Sequence, residues 1–341
     1  MTNLTNKRVI ITGASHGLGK EIARTFLRGG ASVSICSRNG EELTATLKEL
    51  HAEQAWGSVL FGIPCDISSP AEVRQFVSEA ALAMGGVDVL INNAGTLGPI
   101  GRIEDVNLGA WMRAVEINLF GTLNMCREVI PLLKENALEP APEAAAGDVL
   151  DVLGAVGAVP STTPTTAAAA EAVPPSGTAP ATSLPPPPPS RGKIISLSGG
   201  GATAPMPRCS AYAASKAAVV RITETMAEEL REFAIDVNAV APGAMRTRMM
   251  QEVVDAGPEK AGEAYHAKNV HWMEEGGTTD PSVGAALCAW LASTESNGIT
   301  GKLLSAQWDP WQNLAAFRQD LRGDIYTLRR IVPEDRGKKF E

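Results

Sequence analysis

Short β-branched runs alternate with helix-period patterns along most of the chain, and this alternation constrains the fold more than any other feature. Val9–Thr12 gives way to a helix near 17–29, Ser32–Cys36 to one near 40–54, and Val59–Cys65 to one near 70–84. Val87–Asn92 then leads into a long helix ending near 137. After position 190 the pattern resumes with Lys193–Leu197, a helix through 211–233, Ile235–Val240, a helix near 281–293 and Lys302–Ser305. Strand, helix, strand with short connections requires right-handed crossovers, hence a parallel sheet covered on both faces. We expect a single doubly wound α/β domain over residues 1–341, with a parallel sheet of about seven strands.

Residues 139–190 break the pattern. They hold 12 of the 23 prolines and 13 alanines, no aromatic residue, no Lys and no Arg, and close on Pro185–Pro189 and Ser190. Such a stretch buries too little apolar surface to offset the entropy of ordering, and its final proline run favours extended polyproline II. A disordered low-complexity insertion is expected here rather than a second domain. It joins a helix end to a strand start, so it leaves from the amino ends of the strands, whereas ligands in such sheets bind at the carboxyl ends. It reads either as a tolerated surface insertion or as a docking segment for a Pro-recognising partner. Residues 306–341 form a charged C-terminal tail.

The formal net charge of -8 argues against a nucleic-acid partner, whose binding leans on clustered Lys and Arg. The cysteines (36, 65, 126, 209 and 288) are scattered, odd in number and free of any C-x-x-C pair. That pattern reads as free thiols in a reducing compartment, with no metal site. No apolar run reaches the roughly 18 residues of a membrane span, and no signal-peptide region precedes the first strand. The expectation is a cytoplasmic protein with no membrane partner.

The first strand runs into Thr12-Gly13-Ala14-Ser15-His16-Gly17-Leu18-Gly19 and then a helix. Glycines at this turn let the backbone approach a pyrophosphate, and the helix N-terminus offers unpaired N–H groups and a favourable dipole. The domain is therefore expected to be of Rossmann type. The second strand ends in Ile35-Cys36-Ser37-Arg38, where an NAD-binding unit tends to carry an acid for the ribose 2′-hydroxyl. Ser37 and Arg38 suit a 2′-phosphate instead, with His16 approaching the same group. NADP(H) is the expected cofactor and NAD(H) the less favoured one. Against this, Arg38 also reads as a loop cation neutralised by Glu41 and Glu42.

Tyr212 and Lys216 stand four residues apart on a helix, so both project from one face. A phenol beside an ammonium is a usable acid/base, because the cation favours phenolate and lowers the phenol pKa from its usual ~10. Alone, the pair also fits a half-buried Tyr over a solvated Lys.

Together these segments resemble the short-chain dehydrogenase/reductase family, over nearly the whole chain apart from 139–190 and the tail. The matches fall in the family's order. The turn Gly13 to Gly19 resembles its cofactor turn, and Cys65-Asp66-Ile67 the segment whose Asp contacts adenine. Asn92-Asn93-Ala94-Gly95 resembles its signature after the fourth strand, and Asn118 its structural and catalytic Asn. Tyr212-x-x-x-Lys216 matches the catalytic pair, and Ala241-Pro242-Gly243 through Thr247 the loop over the nicotinamide. The resemblance implies interconversion of a small-molecule carbonyl and a secondary alcohol. Tyr212 would be the general acid/base, with Lys216 lowering its pKa and holding the nicotinamide ribose. Asn118 would anchor a relay water, and a serine hydroxyl would bind the carbonyl oxygen. Asp66 alternatively reads as a cap for the helix opening at Ser68–Pro70, and Asn92 also reads as a turn former.

The serine departs from the family pattern. Ser198 stands 14 residues ahead of Tyr212 in Ser196-Leu197-Ser198-Gly199-Gly200-Gly201, and the usual register falls on Gly199. A one-residue bulge at the glycines would deliver Ser198; Ser196 and Ser210 are the other candidates. Residues 245–280, with Met245, Met249 and Met250, read as a substrate lid or as ordinary core. Trp308 and Trp311 would pack over the substrate mouth or against a neighbouring subunit. The family's pairing of long helices implies a homodimer or homotetramer. Two other readings remain: an isomerase or dehydratase with a tightly held nucleotide, and a non-catalytic nucleotide-binding scaffold.

Overall fold

Strand β1 (Arg8–Thr12) lies at the centre of the sheet, flanked by β2 (Ser32–Ser37) and β4 (Val89–Asn92). With β3 (Leu60–Pro64), β5 (Gly192–Leu197), β6 (Ile235–Ala241) and β7 (Leu303–Ser305), the order is β3-β2-β1-β4-β5-β6-β7, and every pair is parallel. This computed structural model describes residues 2–138 and 187–339, which belong to one compact unit. The expected seven-stranded doubly wound sheet is present. The readings of 139–186 as disordered, and as a Pro-recognising partner's ligand, lie outside the described residues.

The helices follow from the apolar stripes between strands. They are α1 (Gly17–Arg28), α2 (Gly40–Leu50), α3 (Pro70–Met84), α4 (Leu108–Val115), α5 (Gly121–Glu135), α6 (Ser210–Glu229), α7 (Arg248–Ala261), α8 (Glu263–Glu274) and α9 (Pro281–Ala292). In β1 the side chains alternate: Val9 and Ile11 face a core with Phe26 and Leu291, whereas Ile10 faces one with Phe76 and Met125. Phe26 and Phe76 are fully buried, each contributing about 1.5–3 kcal/mol. Alternation on a strand thus feeds two cores, one on each face.

At the amino end of the sheet, Asn136 follows α5 and Arg191 precedes β5. Asn136 Nδ2 donates to Val87 O at 2.7 Å and to Arg191 O at 3.0 Å. The Arg191 guanidinium donates back to Asn136 O. Arg8 joins this cluster through Asp88, with Nε to Oδ2 at 2.8 Å. The chain therefore leaves and re-enters the fold at one stitched point, on the side expected.

The tail covers the outer edge of β7. Leu303 N donates to Tyr326 O at 2.8 Å, and Lys302 Nζ donates to Gly323 O and Ile325 O at 2.7 and 3.0 Å. Covering an edge strand with a loop is one way of protecting it from pairing with another chain. Trp311 takes neither expected place: it is buried against Trp290, ring centroids 6.0 Å apart, and donates Nε1 to Ala306 O at 3.1 Å. Trp308 stays 78% exposed. Among the described residues, no helix is long and apolar enough to cross a membrane.

Candidate active site

A cleft of about 1140 Å³ runs along the carboxyl ends of the strands, and residues at or beyond the end of each strand line it. From β1 come Gly13, Ser15, His16, Gly17, Leu18 and Gly19; from β2, Ser37 and Arg38; from β3, Asp66 and Ile67. Asn93, Ala94 and Gly95 follow β4, Ser198 follows β5, Pro242, Gly243 and Thr247 follow β6, and Gln307 and Trp308 follow β7. Tyr212 and Lys216 face it from α6. Parallel topology thus gathers segments more than 200 residues apart.

The glycine turn is locked to the loop after β4. Thr12 Oγ1 accepts from Asn93 N and Ala94 N at 3.1 and 3.0 Å, and Asn93 Nδ2 donates to Thr12 O and Gly13 O, both at 2.9 Å. Gly13 has φ +63°, and a Cβ there would stand 2.7 Å from Ala94 Cα. A Cβ on Gly19 would meet Asn93 Nδ2 at 2.4 Å. Helix α1 has no side-chain cap and no acid in its first turn, so its leading N–H groups are left to a ligand. Helices α2 and α3, by contrast, are capped by Asn39 and Ser69. The residues fit a dinucleotide pyrophosphate.

Asp66 caps no helix. Its Oδ1 accepts from Ser68 N and Ser68 Oγ at 2.9 and 2.7 Å, and Oδ2 accepts from Arg113 at 2.6 Å. Among the described residues Arg38 forms no ion pair with Glu41 or Glu42; Glu42 pairs with Arg248 at 2.8 Å. Asn92, at the end of β4, donates Nδ2 to Cys126 Sγ at 3.4 Å and does not line the cleft.

Asn118 sits in a π-helical turn, Glu116–Phe120, joining α4 to α5. Such turns recur at functional sites because they re-aim one side chain. Asn118 is fully buried; Oδ1 accepts from Thr96 N at 2.8 Å, and Nδ2 donates to Thr96 O and Ser215 Oγ, both at 2.9 Å. A Cβ on Gly95 would stand 3.2 Å from Asn118 Oδ1 and 3.4 Å from Lys216 Nζ. Asn118 therefore lies one layer behind the cleft, facing Lys216 across a glycine.

Lys216 Nζ donates to Leu197 O at 2.7 Å and stands 5.8 Å from the Tyr212 ring centroid. Burial pushes the ammonium down to about 8. Burial also pushes the Tyr212 phenol up to about 12, aided by Tyr265 and Cys209. The lowering expected from the cation is absent in the protein alone, where every influence on the phenol raises its pKa. A phenol this basic is fully protonated at neutral pH, the state a general acid requires.

The serine candidates separate clearly. Ser210 Oγ accepts from Trp111 Nε1 at 3.0 Å, and neither it nor Ser196 lines the cleft. Ser198 lines it, and its buried Oγ has no hydrogen-bond partner among the described residues. No bulge forms at Ser198: its N–H continues the ladder to Val240 O at 2.7 Å. A Cβ on Gly199 would stand 2.3 Å from Tyr212 Oη, so the phenol oxygen rests where a side chain in the family register would begin. Sequence reasoning missed Thr96, Ser215, Arg248 and Tyr265, and read Glu42 only as a partner of Arg38. No local motif marks them, because each owes its place to tertiary packing.

The geometry agrees with comparisons to known proteins. A family model described as short chain dehydrogenase matches residues 7–170, and one described as Enoyl-(Acyl carrier protein) reductase matches residues 179–307. The 7α-hydroxysteroid dehydrogenase of Escherichia coli is 30% identical over 251 residues, 74% of this chain and 76% of that protein. The Granaticin polyketide synthase putative ketoacyl reductase 1 of Streptomyces violaceoruber is 29% identical over 72% of this chain and 70% of its own. The crystal structure of the actinorhodin polyketide ketoreductase with NADPH shares the fold, with TM-score 0.66, 24% identity, and coverage of 89% of this chain and 97% of that one. The chain therefore belongs to the short-chain dehydrogenase/reductase family, oxidoreductases that interconvert carbonyls and alcohols with a nicotinamide cofactor.

Proposed function

We propose that this is an NADP(H)-dependent carbonyl reductase/alcohol dehydrogenase in which Tyr212 is the general acid/base. The observation that carries the reading is one cleft holding both an uncapped glycine-entered helix N-terminus and a buried Tyr212–Lys216 pair. The bound nicotinamide supplies or accepts the hydride. Gly13 to Gly19 hold the pyrophosphate, Asp66 and Ile67 the adenine end, and Asn93 to Gly95 with Pro242, Gly243 and Thr247 the nicotinamide half. Tyr212 gives its phenolic proton to the carbonyl oxygen as that oxygen gains charge. Ser198 donates a hydrogen bond to the same oxygen, which its unpartnered hydroxyl favours.

Lys216, still mostly charged at neutral pH, holds the ribose and stabilises the phenolate left behind. Asn118 fixes the loop after β4 and anchors the relay water behind Lys216. Specificity for the 2′-phosphate rests on Arg38, with Ser37 and His16 beside it. Met206, Met249, Tyr265, Trp272 and Trp308 give the remaining cleft an apolar, aromatic lining, suited to a bulky apolar substrate.

Ile103, Leu108, Met112 and Phe120 are each more than half exposed around α4 and the π turn, which supports a homodimer or homotetramer built on that face. Five free, buried cysteines suit the cytoplasm. Fluorescence titration with NADPH and NADH, on wild type and Arg38→Ala, tests the cofactor reading. NADPH should bind more tightly, and the mutant should lose that preference. Tighter NADH binding by wild type would refute it.

A further inference from the structure

Donors from two distant parts of the chain converge on one carboxylate at the cofactor end of the cleft. Glu42, in the first turn of α2, accepts from Arg248 at the start of α7, at 2.8 Å on Oε1 and 3.2 Å on Oε2. Ser15 Oγ lies 3.4 Å from Oε2, His16 Nδ1 lies 3.6 Å from it, and Ser15 Oγ and His16 Nδ1 are 3.0 Å apart. All four residues, with Ser37 and Arg38, line the cleft. A hydroxyl and a guanidinium on one anion, with an imidazole alongside, resemble a phosphate-binding donor set. Here the protein's own carboxylate occupies it.

We propose that Arg248 is a further cofactor-specificity residue, which exchanges Glu42 for the 2′-phosphate of NADP(H). This rests on the NADP(H) reading above. Arg248 is 62% exposed and on a long side chain, and an ion pair that open is weak, so the exchange costs little. A dianionic phosphate offers it more charge and a bidentate fit. Glu42 then acts against NADP(H) twice, as a competitor for Arg248 and as a like charge beside the phosphate. No sequence motif signals the pair, because 206 positions separate its members.

The test is equilibrium binding of NADPH and NADH to the full-length protein by fluorescence titration, with melting curves to show that each variant is folded. Arg248→Gln should weaken NADPH about 10- to 100-fold and leave NADH within about twofold. Glu42→Gln should tighten NADPH a few-fold, and Arg248→Lys should keep part of the discrimination. Adenosine 2′,5′-bisphosphate should show the same loss in Arg248→Gln, since the nicotinamide is not involved. If wild type prefers NADPH and Arg248→Gln preserves that preference, or weakens both cofactors equally, this inference fails alone. If wild type prefers NADH, the NADP(H) reading fails and takes this inference with it.

Discussion

At the residue scale, burial sets the ionisation of Tyr212 and Lys216, the pair proposed as catalytic. Lys216 ionises near 8 in the folded chain, against its ordinary 10.5. Its folded value is the lower one, so the unfolded state holds more protons between those two values and stability rises with pH across that window. At pH 7 the full desolvation cost is present, on the order of 3 kcal/mol. Lys216→Met should therefore raise the urea midpoint at pH 7 while turnover collapses, and the gain should shrink towards pH 10.5. A destabilised variant at pH 7 would contradict this. For the serines, Ser198→Ala should lower kcat by about 10²-fold, whereas Ser210→Ala should leave it within about twofold. The sequence left three serines open because parity along a strand cannot separate Ser196 from Ser198. Lining of the cleft separates those two, and the Trp111–Ser210 bond sets Ser210 apart.

Among the elements, the glycine turn was the most legible, since glycines between a strand and a helix mark a sharp turn. The reason for each glycine was not legible. Gly19 is required by Asn93, whose amide would stand 2.4 Å from any Cβ there, and by the turn's own backbone, with Gly13 O at 2.5 Å. Gly19→Ala should destabilise the fold by about 1–3 kcal/mol and weaken cofactor binding, as read by melting and titration together. Unchanged affinity would break the link between the turn and the loop after β4. The π turn carrying Asn118 was invisible in the sequence, because Glu116–Phe120 reads as ordinary helix. Residues 245–280 were legible only as a helical, Met-rich stretch, readable as lid or as core. Its division into α7 and α8 at Gly262, the kink at Gly257 within α7, and its tie to α2 through Arg248 come from packing.

Across the whole molecule, alternating strand and helix patterns were enough to place seven parallel strands and their carboxyl-end cleft. Contacts that depend on chain ends folding back were not readable, notably the tail over β7 and the burial of Trp311. The stitch from Asn136 to Arg191 brings the exit and return of the chain together at the amino end of the sheet. Replacing 140–186 with a short Gly/Ser linker should therefore leave kcat within a few-fold; a large loss would mean that the segment reaches the site. The central claim is that Tyr212 supplies the proton during hydride transfer. Its most direct test is single-turnover oxidation of bound NADPH by a panel of bulky ketones, for wild type and Tyr212→Phe. The account predicts a fall of about 10²–10⁴-fold in the mutant with cofactor affinity nearly unchanged. Turnover retained by Tyr212→Phe would contradict it.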